Sequence, residues 1–370
     1  MRTRAAWMER PGLDFEVTEF ELEGPRAGEV LIRVEYAGLC HSDHHLKAGM
    51  GTFPMIAGHE GAGVVEEVGD GVVDLRPGDH VLTSFLPACG RCRWCIGGQS
   101  YLCDAGANAM TGCMADGTFR FHRDGAGIGA LCCLGTFSQW TTVSQHSVVK
   151  IASDIPLDVA CLVSCGVPTG WGSAVYAAEV RAHEVVVVYG VGGIGINAIQ
   201  GAAHAGAGLL IAVDPIDTKL KFACSLGADE GFTSHEEAME FLTEHTRGVL
   251  ADKVIVTAGV VDSTLVAQAF EATRKGGTLV ITGMADGTVD RLNVQLSGTM
   301  LSMYAKRVIG VIYGLCNPRV DMPALLELWR AGKLKLDELI TARYPLEEIN
   351  TGYADLIAGH NIRGILELEH

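Results

Sequence analysis

The sequence predicts an α/β protein in two parts, one β-rich and one built on a doubly wound parallel sheet. Three observations carry this. The 370 residues are 48% hydrophobic and 19% charged, a globular balance with length for two or three domains of ~150 residues. Residues 1 to about 155 read as short β-rich segments cut by Gly/Pro/Asp turns. From about 165 to 310 the pattern changes to strands alternating with helices, which places the strands parallel.

In the first zone the strands are Glu29–Glu35, Gly63–Val68 and His80–Leu82, with turns such as Arg76-Pro-Gly-Asp79 between them. In the second, Glu184–Tyr189 is a nearly unbroken apolar run, as a strand buried on both faces requires. A Gly-rich turn and a helix follow, then the strand Leu209–Val213 and a helix over Thr218–Leu226. The cycle repeats with strands Lys253–Val256 and Thr278–Ile281. Beyond about 312 come one helix, Met322–Arg330, and a terminal strand, Gly364–Leu368, too little for a domain. The expected division is therefore 1–165 with 312–370, and 166–311. A cleft between two domains is the expected ligand site.

Composition excludes several function classes. Lys+Arg 28 against Asp+Glu 44 gives a net charge of −16, which repels phosphate backbones and anionic lipid, so no nucleic acid or membrane partner is expected. No apolar run approaches the ~20 residues of a membrane span, and Met1–Arg10 does not read as a signal peptide. A cytoplasmic location is expected, and there 12 cysteines point to metal rather than disulfides. The 47 glycines show no collagen-like period and must serve turns and close backbone approaches.

Gly190-Val-Gly192-Gly193-Ile194-Gly195 contains G-x-G-x-x-G between a predicted strand and a predicted helix. Asp214 stands 19 residues past Gly195, at the end of the next strand. This is the context of a Rossmann dinucleotide site. Gly190 allows the tight turn, Gly192 lets a pyrophosphate reach backbone N–H groups, and Gly195 permits close helix–strand packing. Asp214 can accept from both ribose hydroxyls and would repel a 2′-phosphate, which favours NAD over NADP. Lys219 flanks either the adenosine or only solvent.

Cys89, Cys92, Cys95 and Cys103 place four thiols within 15 residues of a loop-like stretch, the donor set of a closed structural zinc site. The bacterial ferredoxin run spaces its last cysteine by three and follows it with proline; here the spacing is seven and Asp104 follows. Cys40, His59 and Cys165 are dispersed. Two cysteines and one histidine would leave the fourth position of a tetrahedral zinc open for catalysis, but spacing alone cannot join residues so far apart.

These motifs, in this order, resemble the zinc-dependent medium-chain alcohol dehydrogenases over essentially the whole chain. The landmarks are Gly38-Leu-Cys40-His41-Ser42-Asp43, Gly58-His59-Glu60-Gly-Ala-Gly63, the four-cysteine loop, Cys165-Gly-Val-Pro-Thr169-Gly-Trp-Gly172, the fingerprint with Asp214, and Asn361-Ile-Arg363-Gly364. The resemblance implies a GroES-like β-rich catalytic domain beside the Rossmann domain, and two zinc ions per subunit. One would sit on Cys40, His59 and Cys165 with Glu60 close behind, the other on the four-cysteine loop. It places His41, Thr169, Gly193, Ile194, Lys219, Met284 and Arg363 with the fingerprint residues around NAD(H). His41 departs from the family, which often carries arginine there, and substitutes a titratable charge for a permanent one.

Within that family the closer likeness is to the nicotinoprotein alcohol dehydrogenases, which hold NAD(H) tightly and are assayed with N,N-dimethyl-4-nitrosoaniline. It rests on Gly112–Phe121, Leu134–Phe137, Val143–Lys150 and Gly190–Asn197. It implies that alcohols, primary ones foremost, and aldehydes are interconverted on a retained cofactor reoxidised by an external acceptor. Ser42 would take the alcohol proton and His45, near solvent, would pass it on, a task that suits an imidazole; His44 is expected to be a merely exposed histidine. Phe85 and Phe137, with Met284, are candidates for an apolar substrate wall or for ordinary core packing. Family habit implies a homodimer or homotetramer. The main alternative is a thiol-adduct (mycothiol-type) formaldehyde dehydrogenase using free NAD; a zinc-free NAD-binding protein is opposed by Cys40, His59 and Cys165.

Overall fold

The computed structural model describes residues 1–284 and 294–370. Two compact units emerge. One comprises Met1–Cys165, Asn317–Ala331 and Leu336–His370; the other comprises Gly166–Cys316 and Gly332–Lys335.

The first unit is β-rich. A small closed barrel runs through Arg2–Met8, Glu16–Leu22, Phe121–Arg123, Ala126–Ala130 and Met55–Ile56. A seven-stranded sheet follows the order Val148–Lys150, His80–Thr83, Gly61–Val68, Glu29–Gly38, Arg363–Glu367, Ile340–Pro345, with Trp140–Ser144 also paired to Glu29–Gly38. The central strand Glu29–Gly38 is buried along most of its length because it has neighbours on both edges. Two pairings at its end position the chemistry described below. Gly61 lies opposite Ala37, and the carboxy-terminal strand returns so that Ile365 lies opposite Gly38. The core around it includes Val34, Leu39, Leu46, Phe137 and Tyr353.

The second unit is a six-stranded, all-parallel sheet. Its order is Glu230–Phe232, Leu209–Val213, Val185–Tyr189, Ala251–Val256, Thr273–Ile281, Arg307–Gly310. The order reverses beside Val185–Tyr189, the switch point where a doubly wound sheet receives ligands at its carboxyl edge. Val186, Val187 and Val188 are essentially inaccessible, as the apolar run predicts. Helix starts follow their capping residues. Ser234 Oγ accepts from Glu237 N–H ahead of His235–His245, and Asp262 accepts from Leu265 N–H ahead of Ser263–Ala272.

Predicted elements are found with modest shifts. The helix expected over Thr218–Leu226 is Asp217–Ser225. The one expected over Met322–Arg330 starts earlier, at Pro318, because proline at the first helical turn leaves no needed N–H unbonded. Among the described residues no single helix is long and apolar enough to cross a membrane.

Candidate functional site

Cys40 follows the strand Glu29–Gly38 in extended backbone and precedes the short helix His41–His44. His59 and Glu60 sit in the turn before Gly61–Val68, and Cys165 follows a 3₁₀ turn over Cys161–Ser164. These three segments bring one donor atom each from Cys40, His59, Glu60 and Cys165 to within 4.8 Å of one another, and all four residues are buried. Gly38 is required here, since a Cβ would overlap the Glu60 carboxylate and come to 2.8 Å from Arg363.

The electrostatics are those of a crowded anionic pocket. A hydrogen bond from the Cys165 thiol, with His59 and Arg363 nearby, holds Cys40 well below the ordinary thiol range, and Cys165 is pushed well above it as the donor. Burial alone would lower His59, but Asp43 and Cys40 outweigh it and raise the imidazole well above its usual value. Burial pushes Glu60 up to about 7 against the opposing pull of Arg363, with which it pairs. Glu60 Oε1 is buried without a hydrogen-bond partner. Two thiols, an imidazole and a carboxylate oxygen left short of a partner are donors that fit a zinc ion.

Sequence reasoning quoted Asp43 within its landmark but gave it no role. The structure does. Asp43 is fully buried; Oδ1 accepts from Gly58 N–H at 2.9 Å and Oδ2 lies 3.0 Å from His59 Nδ1. That contact fixes the ring and leaves Nε2 as the nitrogen available to a metal. An acid three residues after Cys40 was the available signal.

The proton-relay candidates lie on the same short helix, Ser42 within it and His45 at its C-terminal cap. Ser42 is half-buried. His45 differs from expectation: it is 5% exposed, not at the solvent surface. Positions i, i+3 and i+4 share a helix face, so His41 meets His44 at 5.7 Å and His45 at 5.3 Å between centroids, and His45 turns inward beside fully buried Leu46. His44, expected to be exposed, is half-buried within this cluster. Phe85 presents its ring edge-on to His59 at 5.6 Å. Phe137 is fully buried, 6.5 Å from Phe15 and 6.4 Å from Tyr353, in the position of a core side chain. Arg363, expected beside the cofactor, has its buried guanidinium on Glu60.

The four-cysteine loop forms a second cluster, with one donor from each of Cys89, Cys92, Cys95 and Cys103 within 4.8 Å of the others. Cys89 to Cys95 and Cys92 to Cys103 are both 3.9 Å between sulfurs. Four Zn–S bonds of about 2.3 Å in a tetrahedron demand S···S edges of about 3.8 Å. A disulfide would need about 2 Å. Backbone N–H groups of Cys89 and Cys92 point at Cys103 and Cys89 sulfurs at 3.4 Å each, which favours thiolates. Bonds of that kind bring Cys92 down to about 6.

In the second unit the fingerprint turn follows Val185–Tyr189 and leads into the helix Gly195–His204. Gly190 has φ +84°, and a Cβ there would come to 2.7 Å from Ala258 Cα. Gly195 packs against the Gly190 carbonyl and lies where a Cβ would be 2.7 Å from Thr257 Oγ1. Gly192 is different: a Cβ there meets nothing within 4 Å, so its backbone faces open space. Asp214 Oδ2 accepts from Val191 N–H at 2.9 Å and Oδ1 from Ile216 N–H at 3.0 Å, fixing the carboxylate at the strand end. Asn197 Nδ2 donates to Gly193 O, tying the turn beside Ile194 to the helix. Thr169 is buried in Gly166–Gly172, Lys219 is half-buried, and Met284 is 41% exposed.

A buried thiol–imidazole cluster, a four-thiol loop and a fingerprinted parallel sheet define a zinc-binding dehydrogenase. The comparisons agree. Residues 26–153 match the alcohol dehydrogenase GroES-like domain family and residues 193–330 the zinc-binding dehydrogenase family. The chain is 54% identical over 99% of its length, and 99% of the relative's, to an NDMA-dependent alcohol dehydrogenase of Amycolatopsis methanolica. It is 44% identical to alcohol dehydrogenase B of Mycobacterium tuberculosis, over 99% and 98% of the two chains. An S-(hydroxymethyl)glutathione dehydrogenase of Saccharomyces cerevisiae is more distant, at 37% over 95% and 92%. Among solved structures, an alcohol dehydrogenase zinc-binding domain protein from Burkholderia ambifaria superposes with a TM-score of 0.93 at 29% identity, over 100% of both chains. The chain belongs to the zinc-dependent medium-chain alcohol dehydrogenases, and its two units are of the GroES-like and Rossmann types.

Proposed function

We propose that this alcohol dehydrogenase is a nicotinoprotein: it interconverts alcohols, primary ones foremost, and aldehydes on a retained NAD(H), which an external acceptor reoxidises. The observation that carries this is the 54% full-length identity to the NDMA-dependent relative. The residues supply the parts. Cys40, His59 and Cys165 hold the catalytic zinc, with Glu60 behind it, and Cys89, Cys92, Cys95 and Cys103 hold the structural one. Bound at the first site, the metal supplies Lewis acidity that lowers the pKa of an alcohol hydroxyl. Ser42 takes the alcohol proton by hydrogen bond as it gives up its own hydroxyl proton, and His45 is the imidazole that carries the released proton onward. Phe85, edge-on to His59, walls the alcohol.

The cofactor reading assigns residues 1–165 with 312–370 to catalysis and 166–311 to NAD. The open backbone at Gly192 receives the pyrophosphate, with Gly190, Gly193, Ile194 and Gly195 shaping the turn. Asp214 already accepts two backbone N–H groups, yet its carboxylate has lone pairs left for ribose hydroxyls. His41, Thr169, Lys219 and Met284 complete the cofactor contacts, while Arg363, paired with buried Glu60, supports the metal cluster instead. A homodimer or homotetramer in the cytoplasm completes the reading; four thiols kept reduced for metal suit that compartment.

The test is to denature the purified protein without added cofactor and quantify the nicotinamide released. About one NAD(H) per chain is expected, with turnover on N,N-dimethyl-4-nitrosoaniline and alcohol alone. Little or none would overturn retention and leave a dehydrogenase exchanging free NAD; formaldehyde oxidation dependent on mycothiol would then identify the thiol-adduct enzyme.

A further inference from the structure

His59 and Glu60 supply two of the four clustered donors and lie in the turn just before the strand Gly61–Val68, outside its regular ladder. Side chains therefore hold that backbone. Thr136 is fully buried and bonds it on either side of His59: its N–H donates to Gly58 O at 3.0 Å and its Oγ1 to Glu60 O at 2.9 Å. The other donor to Glu60 O, the Gly38 N–H, is longer at 3.3 Å. Glycine at both ends of the turn makes room for this approach. A Cβ on Gly58 would come to 2.6 Å from Thr136 Oγ1, and one on Gly61 to 2.8 Å from Thr136 Cγ2. The next carbonyl is held in the same way. Ser164, also fully buried, directly precedes Cys165, and its Oγ donates to Gly61 O at 3.0 Å. Thr83 Oγ1 reaches the same oxygen at 3.3 Å. On the Cys40 side, Asp43 accepts from Gly58 N–H at 2.9 Å. The segments of Cys40 and Cys165 are thus each tied to the turn of His59 and Glu60 by a buried hydrogen bond that involves no metal.

We propose that Thr136 and Ser164 are positioning residues for the metal site: the Thr136 hydroxyl sets the backbone that carries His59 and Glu60, and the Ser164 hydroxyl holds Cys165 against that backbone. The inference rests on reading Cys40, His59 and Cys165 as zinc ligands. Valine at 136 would keep the side-chain shape and the methyl against Gly61, while leaving Glu60 O only its long bond from Gly38. Alanine at 164 would likewise leave Gly61 O only the long bond from Thr83. A buried carbonyl short of a donor is unfavourable, so in each case the turn relaxes and the donors move apart.

The experiment measures zinc release from the zinc-loaded enzyme into excess chelator, followed colorimetrically, for wild type, Thr136→Val, Thr136→Ser and Ser164→Ala. The four-cysteine zinc is the internal reference, and a Cys40→Ser variant identifies which phase is the catalytic-site zinc. Outer-shell losses cost roughly 10–100-fold in affinity. These hydroxyls act through the ligands' backbone, so the catalytic-site phase should accelerate about 10-fold in Thr136→Val and in Ser164→Ala while the reference phase stays at its wild-type rate. Thr136→Ser keeps the hydroxyl and loses the methyl, and should release zinc at close to the wild-type rate. An unchanged catalytic-site phase in either Thr136→Val or Ser164→Ala overturns the proposal. So does equal acceleration of both phases, which marks a general loosening of the unit. Release from Thr136→Ser as fast as from Thr136→Val overturns it too, because packing rather than the hydroxyl would then matter. Should Thr136→Val fail to fold, Ser164→Ala decides alone by the same two criteria. Fewer than two zinc ions per wild-type chain would instead overturn the ligand assignment itself.

Discussion

Gly192 and Gly195 stand in one turn, yet alanine at each should do opposite things. At Gly192 a Cβ meets no atom within 4 Å, and the backbone is not left-handed. The cofactor-free Gly192→Ala protein should therefore be as stable as wild type, or more stable by the ~0.4–1 kcal/mol that a compatible Gly→Ala change gives through the unfolded chain. At Gly195 the added carbon overlaps the Gly190 carbonyl and comes to 2.7 Å from Thr257 Oγ1, and neither strand nor helix can yield freely. Overpacking of this kind costs about 1–3 kcal/mol or more. At ~2–4 °C per kcal/mol for a domain of 150–250 residues, Tm should fall by roughly 2–12 °C. Cofactor retention reverses the ranking. The methyl at Gly192 occupies the approach of the pyrophosphate; losing two charge-assisted hydrogen bonds at about 1.5–3 kcal/mol each weakens retention by about 10²–10⁴-fold. The assay pairs nicotinamide released per chain with thermal unfolding of stripped proteins, since bound NAD(H) would raise Tm by mass action. Full nicotinamide in Gly192→Ala, or an early transition in its stripped form, would refute the division between an open glycine and a packed one. So would wild-type stability in Gly195→Ala.

Cys40→Ser should abolish alcohol turnover while leaving bound nicotinamide at its wild-type level; loss of both together would show that the substitution unfolds the chain rather than removing a zinc ligand. His45→Gln should slow turnover by about 10-fold or more and reshape the pH profile of kcat, because an amide cannot carry a proton; an identical profile would remove His45 from the relay. Asp79 supplies a linkage test. Burial would raise its carboxyl, but Lys150 at 2.7 Å and the Arg76 N–H at 3.0 Å hold it below the ordinary carboxylate range. A depressed folded pKa gives stability that is fully present above the unfolded value of about 3.9 and is lost as pH falls through the folded one. The urea midpoint of Asp79→Asn should lie below wild type at pH 7 and converge on it in acid; a gap constant from pH 7 to pH 2 would refute the linkage.

What the sequence made legible is what lies close together along it. The four cysteines fall within 15 residues, and the fingerprint within six, so spacing alone states their geometry. The strand Val185–Tyr189 was readable because a strand covered on both faces has no polar alternation to disguise it. Cys40, His59 and Cys165 were not readable from spacing. They meet because three segments converge at one end of the strand Glu29–Gly38, and only the family resemblance named them as a set. Asp43 was missed for the same reason: an aspartate has no signature until a histidine is placed beside it. The exposure of His45 was misjudged because a four-residue helix turns inward over one turn, a length too short for any periodic pattern.

The two clusters consequently depend on the fold in different ways. Cys89, Cys92 and Cys95 are only half-buried, their thiols lie in one loop, and backbone N–H groups of that loop support the thiolates. A metal can hold such a loop with little help from the rest of the unit. At the other site the donors come from three segments far apart in the chain, Arg363 arrives on the last strand to pair with Glu60, and His59 is held from the far side by Asp43. Glu60 and Arg363 are each nearly inaccessible, so removing Glu60 would strand the Arg363 guanidinium as an unpaired buried charge, a loss of roughly 3–5 kcal/mol. The pairing of Glu60 in that cluster thus depends on the carboxy-terminal strand lying beside Glu29–Gly38. A truncation before Arg363 should keep the four-cysteine zinc and lose the other, and retention of both by the truncated chain would show that the pairing with Glu60 is dispensable.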